Sequence, residues 1–128
     1  MPSTDYLEDQ IITHLLRTGS WTKPTAIFVA LFVGGTEVTG TGYARVQHGP
    51  SDATWTATSA GNGISRNAST IQFGSPTANW GTITVVKLFS ASSGGNELAT
   101  ATLNTPLTVN SGDPAPAFPA NSLSFTVS

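Results

Sequence analysis

The sequence contains no cysteine. That absence excludes a disulfide scaffold, a thiol nucleophile and a cysteine-ligated zinc site. Charge is scarce as well. Asp, Glu, Lys and Arg make up 9% of the 128 residues, where a typical soluble domain carries about 25%. Five Lys and Arg are too few to track a phosphate backbone, which speaks against a nucleic-acid partner. No apolar run approaches the roughly 20 residues of a membrane span; the longest, Ala26 to Val33, is strand-sized. The opening Pro2-Ser3-Thr4-Asp5 has no signal-peptide character. What is present fits a folded body. Hydrophobic residues account for 38% and net charge is only −2, outside the range of disordered chains, and 13.2 kDa suits one domain.

The hydrophobic pattern divides the chain into 1–20, an N-terminal helix with its cap, and 21–128, a single β domain. In residues 1–18, Leu7, Ile11 and Leu15 share one helical face, with Ile12 and Leu16 beside them. Thr4 or Asp5 can cap the start, Arg17 suits the dipole at the end, and Gly19 is a natural stop. Such a helix either covers the open end or face of a sheet or serves as a docking arm.

From Trp21 onward the pattern is β. Strands are expected at 26–33, 43–48, 54–58, 68–73, 82–89, 97–103, 107–109 and 122–127, separated by Gly, Pro, Asn and Ser clusters such as Gly49-Pro50-Ser51-Asp52 and Gly61-Asn62-Gly63. Pro114, Pro116 and Pro119 mark an extended stretch that cannot be a central strand. About eight short strands with one N-terminal α-helix predict an all-β fold, a jelly-roll-like β-sandwich. Ser and Thr, roughly a quarter of the chain, suit its solvated strand faces.

Candidate chemistry is thin. His14 and His48 have no second ligand at metal-binding spacing, and a His48–Asp52 pair is most simply surface proximity. Glu37 and Glu97 form a conceivable long-range carboxylate pair of the kind glycosidases use, but no nucleophile, base and orienting group appear together. Gly40-Thr41-Gly42 and Gly61-Asn62-Gly63 precede no helix, so they are turn glycines and not phosphate loops. Asn67-Ala68-Ser69 matches a glycosylation sequon. The sequence implies no catalytic residue, metal site or cofactor. Trp55 and Trp80 have two readings: core packing, or stacking on a sugar ring as glycan contacts.

The remaining charge is unevenly placed. Of twelve charged residues, five lie within residues 1–23; none lies between Leu98 and Gly112, and none between Pro114 and Ser128. Isolated sheets guard their edges with charge, whereas interface cores are depleted of it. The helix face and the C-terminal strands are therefore the candidate interface, with Leu7, Ile11, Leu15, Leu107, Val109, Phe118, Leu123 and Phe125 as its apolar contributors. A Ser/Thr-solvated surface is the competing explanation.

Several stretches carry a resemblance: Leu15-Leu16-Arg17-Thr18-Gly19, Pro24 to Phe32, Gly35-Thr36-Glu37-Val38-Thr39-Gly40-Thr41-Gly42-Tyr43-Ala44-Arg45, Ala78-Asn79-Trp80-Gly81-Thr82-Ile83, Gly94-Gly95-Asn96-Glu97-Leu98 and Asn110-Ser111-Gly112-Asp113. In this order the chain resembles a family of small tailed-bacteriophage virion proteins, often labelled tail-fibre-like. The resemblance implies a non-enzymatic structural protein of the particle and brings no catalytic motif with it. A compact chain without repeats favours a capsid cement or decoration protein. Its expected partners are the major capsid protein and copies of itself, as a homo-oligomer on the virion surface, assembled in the bacterial host cytoplasm. Neither nucleic acid nor membrane is expected as a partner. The alternatives are a tail or tail-fibre component, contacting tail proteins or a receptor, and a carbohydrate-binding module built on Trp55 or Trp80.

Overall fold

A computed structural model describes residues 1–57 and 63–127. It contains one helix, α1 (Asp5–Leu16), and nine strands among the described residues. These are β1 (Phe28–Val33), β2 (Thr36–Glu37), β3 (Val46–Gln47), β4 (Ile64–Arg66), β5 (Ile71–Gln72), β6 (Gly81–Phe89), β7 (Glu97–Val109), β8 (Ala117–Phe118) and β9 (Ser124–Thr126). The fold is all-β and sandwich-like. One antiparallel sheet runs β2-β1-β6-β7, with β3 also paired to β1; opposite it lie two ribbons, β4-β9 and β5-β8.

The apolar run at Ala26 to Val33 becomes the sheet's central strand because both its faces are covered. Val29 and Leu31 enter the main core with Ile83, Val86 and Leu88 of β6, and meet Ile71, Phe73 and Leu123 from the ribbon layer. Ala30 and Phe32 turn the other way and cluster with Phe89. The Phe32 and Phe89 rings stack at 6.0 Å. Two of the few cations cover this outer cluster: the Arg45 guanidinium lies 3.9 Å from the Phe89 ring and the Lys87 ammonium 4.7 Å from that of Phe32, each laying an aliphatic stem over apolar surface.

Ahead of the helix, residues 1–4 form a strand-like stitch. On one side Thr4 N–H donates to the Leu98 carbonyl and Thr100 N–H to that of Pro2; on the other, Ser3 N–H donates to the Thr126 carbonyl and Thr126 N–H to that of Met1. The chain start thus joins the edge of β7 to β9 and links the two layers. Thr4 is the N-cap: its Oγ1 accepts from Leu7 N–H at 3.4 Å and donates to the Glu97 carbonyl at 2.7 Å. Leu7 is buried in the main core, and Tyr6 and Ile11 pack against it. Gly19 follows the helix for a different reason than a left-handed stop. A Cβ there would lie 2.2 Å from Thr13 Cγ2, so the glycine permits the chain to turn back against α1.

The expected strands at 97–103 and 107–109 are one strand with an irregular register: Val85 lies opposite Thr102 but Ile83 opposite Leu107. The extra residues, with Pro106 among them, form a bulge. β2, β4 and β8 are two- or three-residue pieces, too short to show a period, and were not expected as strands. Trp55, inside the expected 54–58 strand, makes a single bridge to Asn67; Thr58 and the Gly61-Asn62 part of the following turn lie outside the described residues.

These pairings account for the chargeless edge. β7 is protected over its first residues by the chain start and farther along by a proline-bearing bulge, two devices that blunt edge pairing without charge. Among the described residues no helix is long and apolar enough to cross a membrane.

Candidate functional site

Several of the residues quoted for the phage resemblance, from the Pro24–Phe32, Gly35–Arg45 and Gly94–Leu98 stretches, meet in one structural clamp. Arg45 forms a two-pronged pair with Glu37, Nε to Oε2 at 2.8 Å and NH2 to Oε1 at 2.9 Å. Its NH1 donates to the carbonyls of Ala91 at 2.9 Å and Gly94 at 2.8 Å. Tyr43 Oη donates to Glu37 Oε2 at 2.7 Å and accepts from Leu31 N–H at 3.0 Å. The clamp fastens the β2–β3 excursion to the turn between β6 and β7. That turn runs through Gly94 and Gly95, both with positive φ (62° and 75°), a conformation that suits glycine. Hydrogen bonds from Arg45 hold the Glu37 carboxyl below the ordinary carboxylate range. Burial, reinforced by the Glu37 hydrogen bond, raises the Tyr43 phenol, so it stays neutral.

Trp80 belongs to the same assembly. It is buried at 5% exposure, packs edge-on against Tyr43 at 5.5 Å and donates Nε1–H to the Thr41 carbonyl at 3.1 Å. A Cβ at Gly40 would come within 2.4 Å of its ring, which explains the glycine. Trp80 is a core residue with no face for a ligand, and this corrects the glycan reading for that position. Trp80→Ala is expected to lower stability by about 3–5 kcal/mol, as for a buried Trp elsewhere. Thermal unfolding followed by circular dichroism checks this.

Other motifs are absorbed likewise. Asn79 Oδ1 accepts from Ser111 N–H, and Asp113 Oδ2 caps Asn110 N–H. Glu97 pairs with Lys87 at 2.6 Å, so Glu37 and Glu97 are each engaged by a different cation. His48 is buried; its Nε2–H donates to the Thr54 carbonyl at 3.0 Å, not to Asp52. Burial lowers its pKa. His14 Nδ1 accepts from Trp21 N–H at 3.2 Å, tethering the strap after α1. Among the described residues no group of three or more His, Asp or Glu is placed to hold a metal ion.

Asn67 carries a role that sequence reasoning missed. It is fully buried. Its amide nitrogen reaches the carbonyls of Ser69 at 3.1 Å, Phe118 at 3.3 Å and Pro119 at 2.8 Å, and its Oδ1 accepts from Leu123 N–H at 2.9 Å. The sequon asparagine is therefore an internal cross-brace, not an acceptor for a glycan. The available signal was a short polar residue between apolar alternations, the setting in which Asn side chains satisfy backbone groups.

The eight candidate interface residues separate into three groups. Leu7, Val109 and Leu123 are buried in the chain's own core. Ile11, Phe118 and Phe125 are half-buried and pack against that core. Leu15 is 71% exposed and Leu107 39%. At the tip of α1 the flanking Ile12 and Leu16 join Leu15 in one exposed stripe, at 51% and 79% exposure. The helix is thus divided: its first turns close the sandwich, and its end leaves three aliphatic side chains exposed to solvent. Beneath it an apolar cavity of about 280 Å³ is walled by Leu7, Trp21, Ile27, Trp55, Leu98 and Phe125, among others.

The model of the family described as Podophage GP4 fiber I protein gp80 matches residues 2–126. The chain belongs to that family. It is thus a tailed-phage structural protein of fibre type, in agreement with the resemblance carried by the clamp and turn motifs. A comparison with curated proteins gives no match. The family match spans the helix, the stitch and both layers; in this gp80-family protein most of the stretches shared by resemblance hold the body together, while Leu15 and Leu16 stand exposed at the helix tip.

Proposed function

We propose that the chain is a non-enzymatic tail-fibre component of a phage particle, a compact module carried in several copies and fastened to neighbouring subunits through the tip of α1. The observation that carries this reading is the pairing of a fibre-family match over residues 2–126 with the exposed Ile12, Leu15 and Leu16 stripe. Anchors at i, i+3 and i+4 suit insertion of a helix into a groove, and repeated copies on one particle make a small contact effective through avidity. The family's description favours this position over the capsid-cement role. Quantifying copies per purified virion distinguishes them: a small multiple of the tail symmetry supports the fibre position, and a number that scales with the shell lattice supports cement.

A double variant Leu15→Glu, Leu16→Glu tests the attachment. Both side chains are mostly solvent-exposed, so thermal stability is expected to stay within about 0.5 kcal/mol of wild type. Incorporation into particles, measured by mass spectrometry of purified virions, is expected to fall at least tenfold. Normal incorporation would remove the helix tip from the attachment surface.

A further inference from the structure

We propose that the cleft beside Trp55 is a carbohydrate site that takes a pyranose ring, a binding activity beyond the structural role. Trp55 lines two unlike spaces. One is the apolar cavity under α1. The other is an open cleft of about 580 Å³ lined by Lys23, Ser51, Asp52, Trp55 and Thr56, among others. The indole is held fixed on the body: Nε1–H donates to the His48 carbonyl at 2.7 Å, and the His48 ring packs edge-on at 5.5 Å. The preceding turn is fixed too, since Thr54 N–H and Trp55 N–H both donate to the Ser51 carbonyl and Ser51 Oγ bonds Thr54 Oγ1 at 2.9 Å. A rigid aromatic wall costs little ordering on binding.

The charges make this cleft unlike the rest of the surface. Every other carboxylate of the β body is engaged: Glu37 by Arg45, Glu97 by Lys87, and Asp113 by Asn110 N–H. Asp52, among the described residues, has neither hydrogen bond nor ion pair, and neither has Lys23, although both line the same cleft. A free carboxylate accepts from two hydroxyls, a free ammonium donates to three acceptors, and an indole offers a π surface to ring C–H groups. That combination, unpaired polar groups of both signs lining one cleft with an aromatic wall, matches a sugar with an apolar face and hydroxyl edges. Trp80, the other candidate from sequence, is in the core, so the site rests on Trp55 alone.

The test uses the whole chain labelled with nitrogen-15 and titrated with glucose, galactose, mannose, N-acetylglucosamine and glucuronic acid, each to about 10 mM, the range in which a single weak sugar site is read. At least one sugar is expected to shift the Trp55 indole N–H and the amides of residues 51–57 in a saturable way. Asp52→Asn and Lys23→Gln, both at exposed positions, are each expected to weaken that binding about five- to tenfold while leaving the remaining spectrum unchanged. Trp55→Phe, which keeps an aromatic wall, is expected to weaken it less than Trp55→Ala. A response to neutral sugars identifies a hexose site and a response confined to glucuronic acid an acidic-sugar site; both support the proposal. No saturable shift with any of the five, shifts located away from residues 51–57, or affinities unchanged in both charge variants would overturn it.

Discussion

Replacing Asn67 with alanine is expected to destabilise the protein by about 3–5 kcal/mol, a large share of the roughly 5–15 kcal/mol available to a domain. The size follows from what is orphaned. The substitution leaves the Leu123 N–H and the carbonyls of Phe118 and Ser69 without their side-chain partner, at a fully buried position, while the Pro119 carbonyl keeps the Ser122 N–H. Each unmet buried group costs about 1–3 kcal/mol when water cannot reach it. Urea unfolding of the variant reads the loss as a fall in midpoint. Ser69→Ala is the informative control: it destroys the same sequon but keeps the backbone carbonyl that Asn67 uses, and its side chain is exposed, so it is expected to match wild type. If Asn67→Ala unfolded within about 0.5 kcal/mol of wild type, the cross-brace would carry no weight.

Arg45→Ala is the second large effect, expected at about 3 kcal/mol, the lower end for breaking a largely buried pair. The Arg45 side chain is 7% exposed and that of Glu37 27%, so water can partly reclaim the abandoned carboxylate. The change also uncovers Phe89 and frees the carbonyls of Ala91 and Gly94. Arg45→Lys is expected to recover only part of the loss, because an ammonium cannot span the carboxylate and two carbonyls at once. The pH dependence has a definite sign. The folded Glu37 pKa lies below its unfolded value, so the pair's contribution is fully present above the unfolded carboxylate range and is lost as pH falls through the lowered folded value. In Arg45→Ala the main cause of that lowering is gone. The variant should therefore lack this acid-dependent part of stability, and its stability should change less than wild type between neutral pH and about pH 3.

Much of the fold was legible because it rests on patterns longer than one turn. The run from Ala26 to Val33 could only be a strand covered on both faces, and the 7, 11, 15 spacing could only be a helix. Thr4 as cap follows from the preference of hydroxyl side chains for that position. What escaped is local or long-range. β2, β4 and β8 have no period to read. The backbone groups of residues 1–4 are claimed by Leu98, Thr100 and Thr126, partners far away in sequence that no local pattern announces. The bulge in β7 merges two expected strands because Pro106 leaves the ladder without ending it.

The candidate surface shows the same division. The chargeless stretch after Leu98 has intrachain cover: β7 is flanked by the chain start and broken by the bulge, and Val109 and Leu123 are buried. The exposed apolar surface gathers instead at Ile12, Leu15 and Leu16, on the helix whose first turns are the most charged part of the chain. A helical stripe signals that a face is apolar; only the packing of Leu7 shows where the chain's own core stops covering it. Trp55 and Trp80, equivalent as letters, part company for a similar reason: Tyr43 and Gly40 enclose one, whereas the Pro50–Thr54 turn leaves the other bordering an open cleft.

The most direct test of the central claim is a side-chain-resolution reconstruction of the native phage particle. The account predicts density for this chain at the tail or its fibres, in a small multiple of the tail symmetry, with Leu15 and Leu16 seated against an adjacent subunit. Density arrayed over the capsid shell, or particles without the chain, would contradict it.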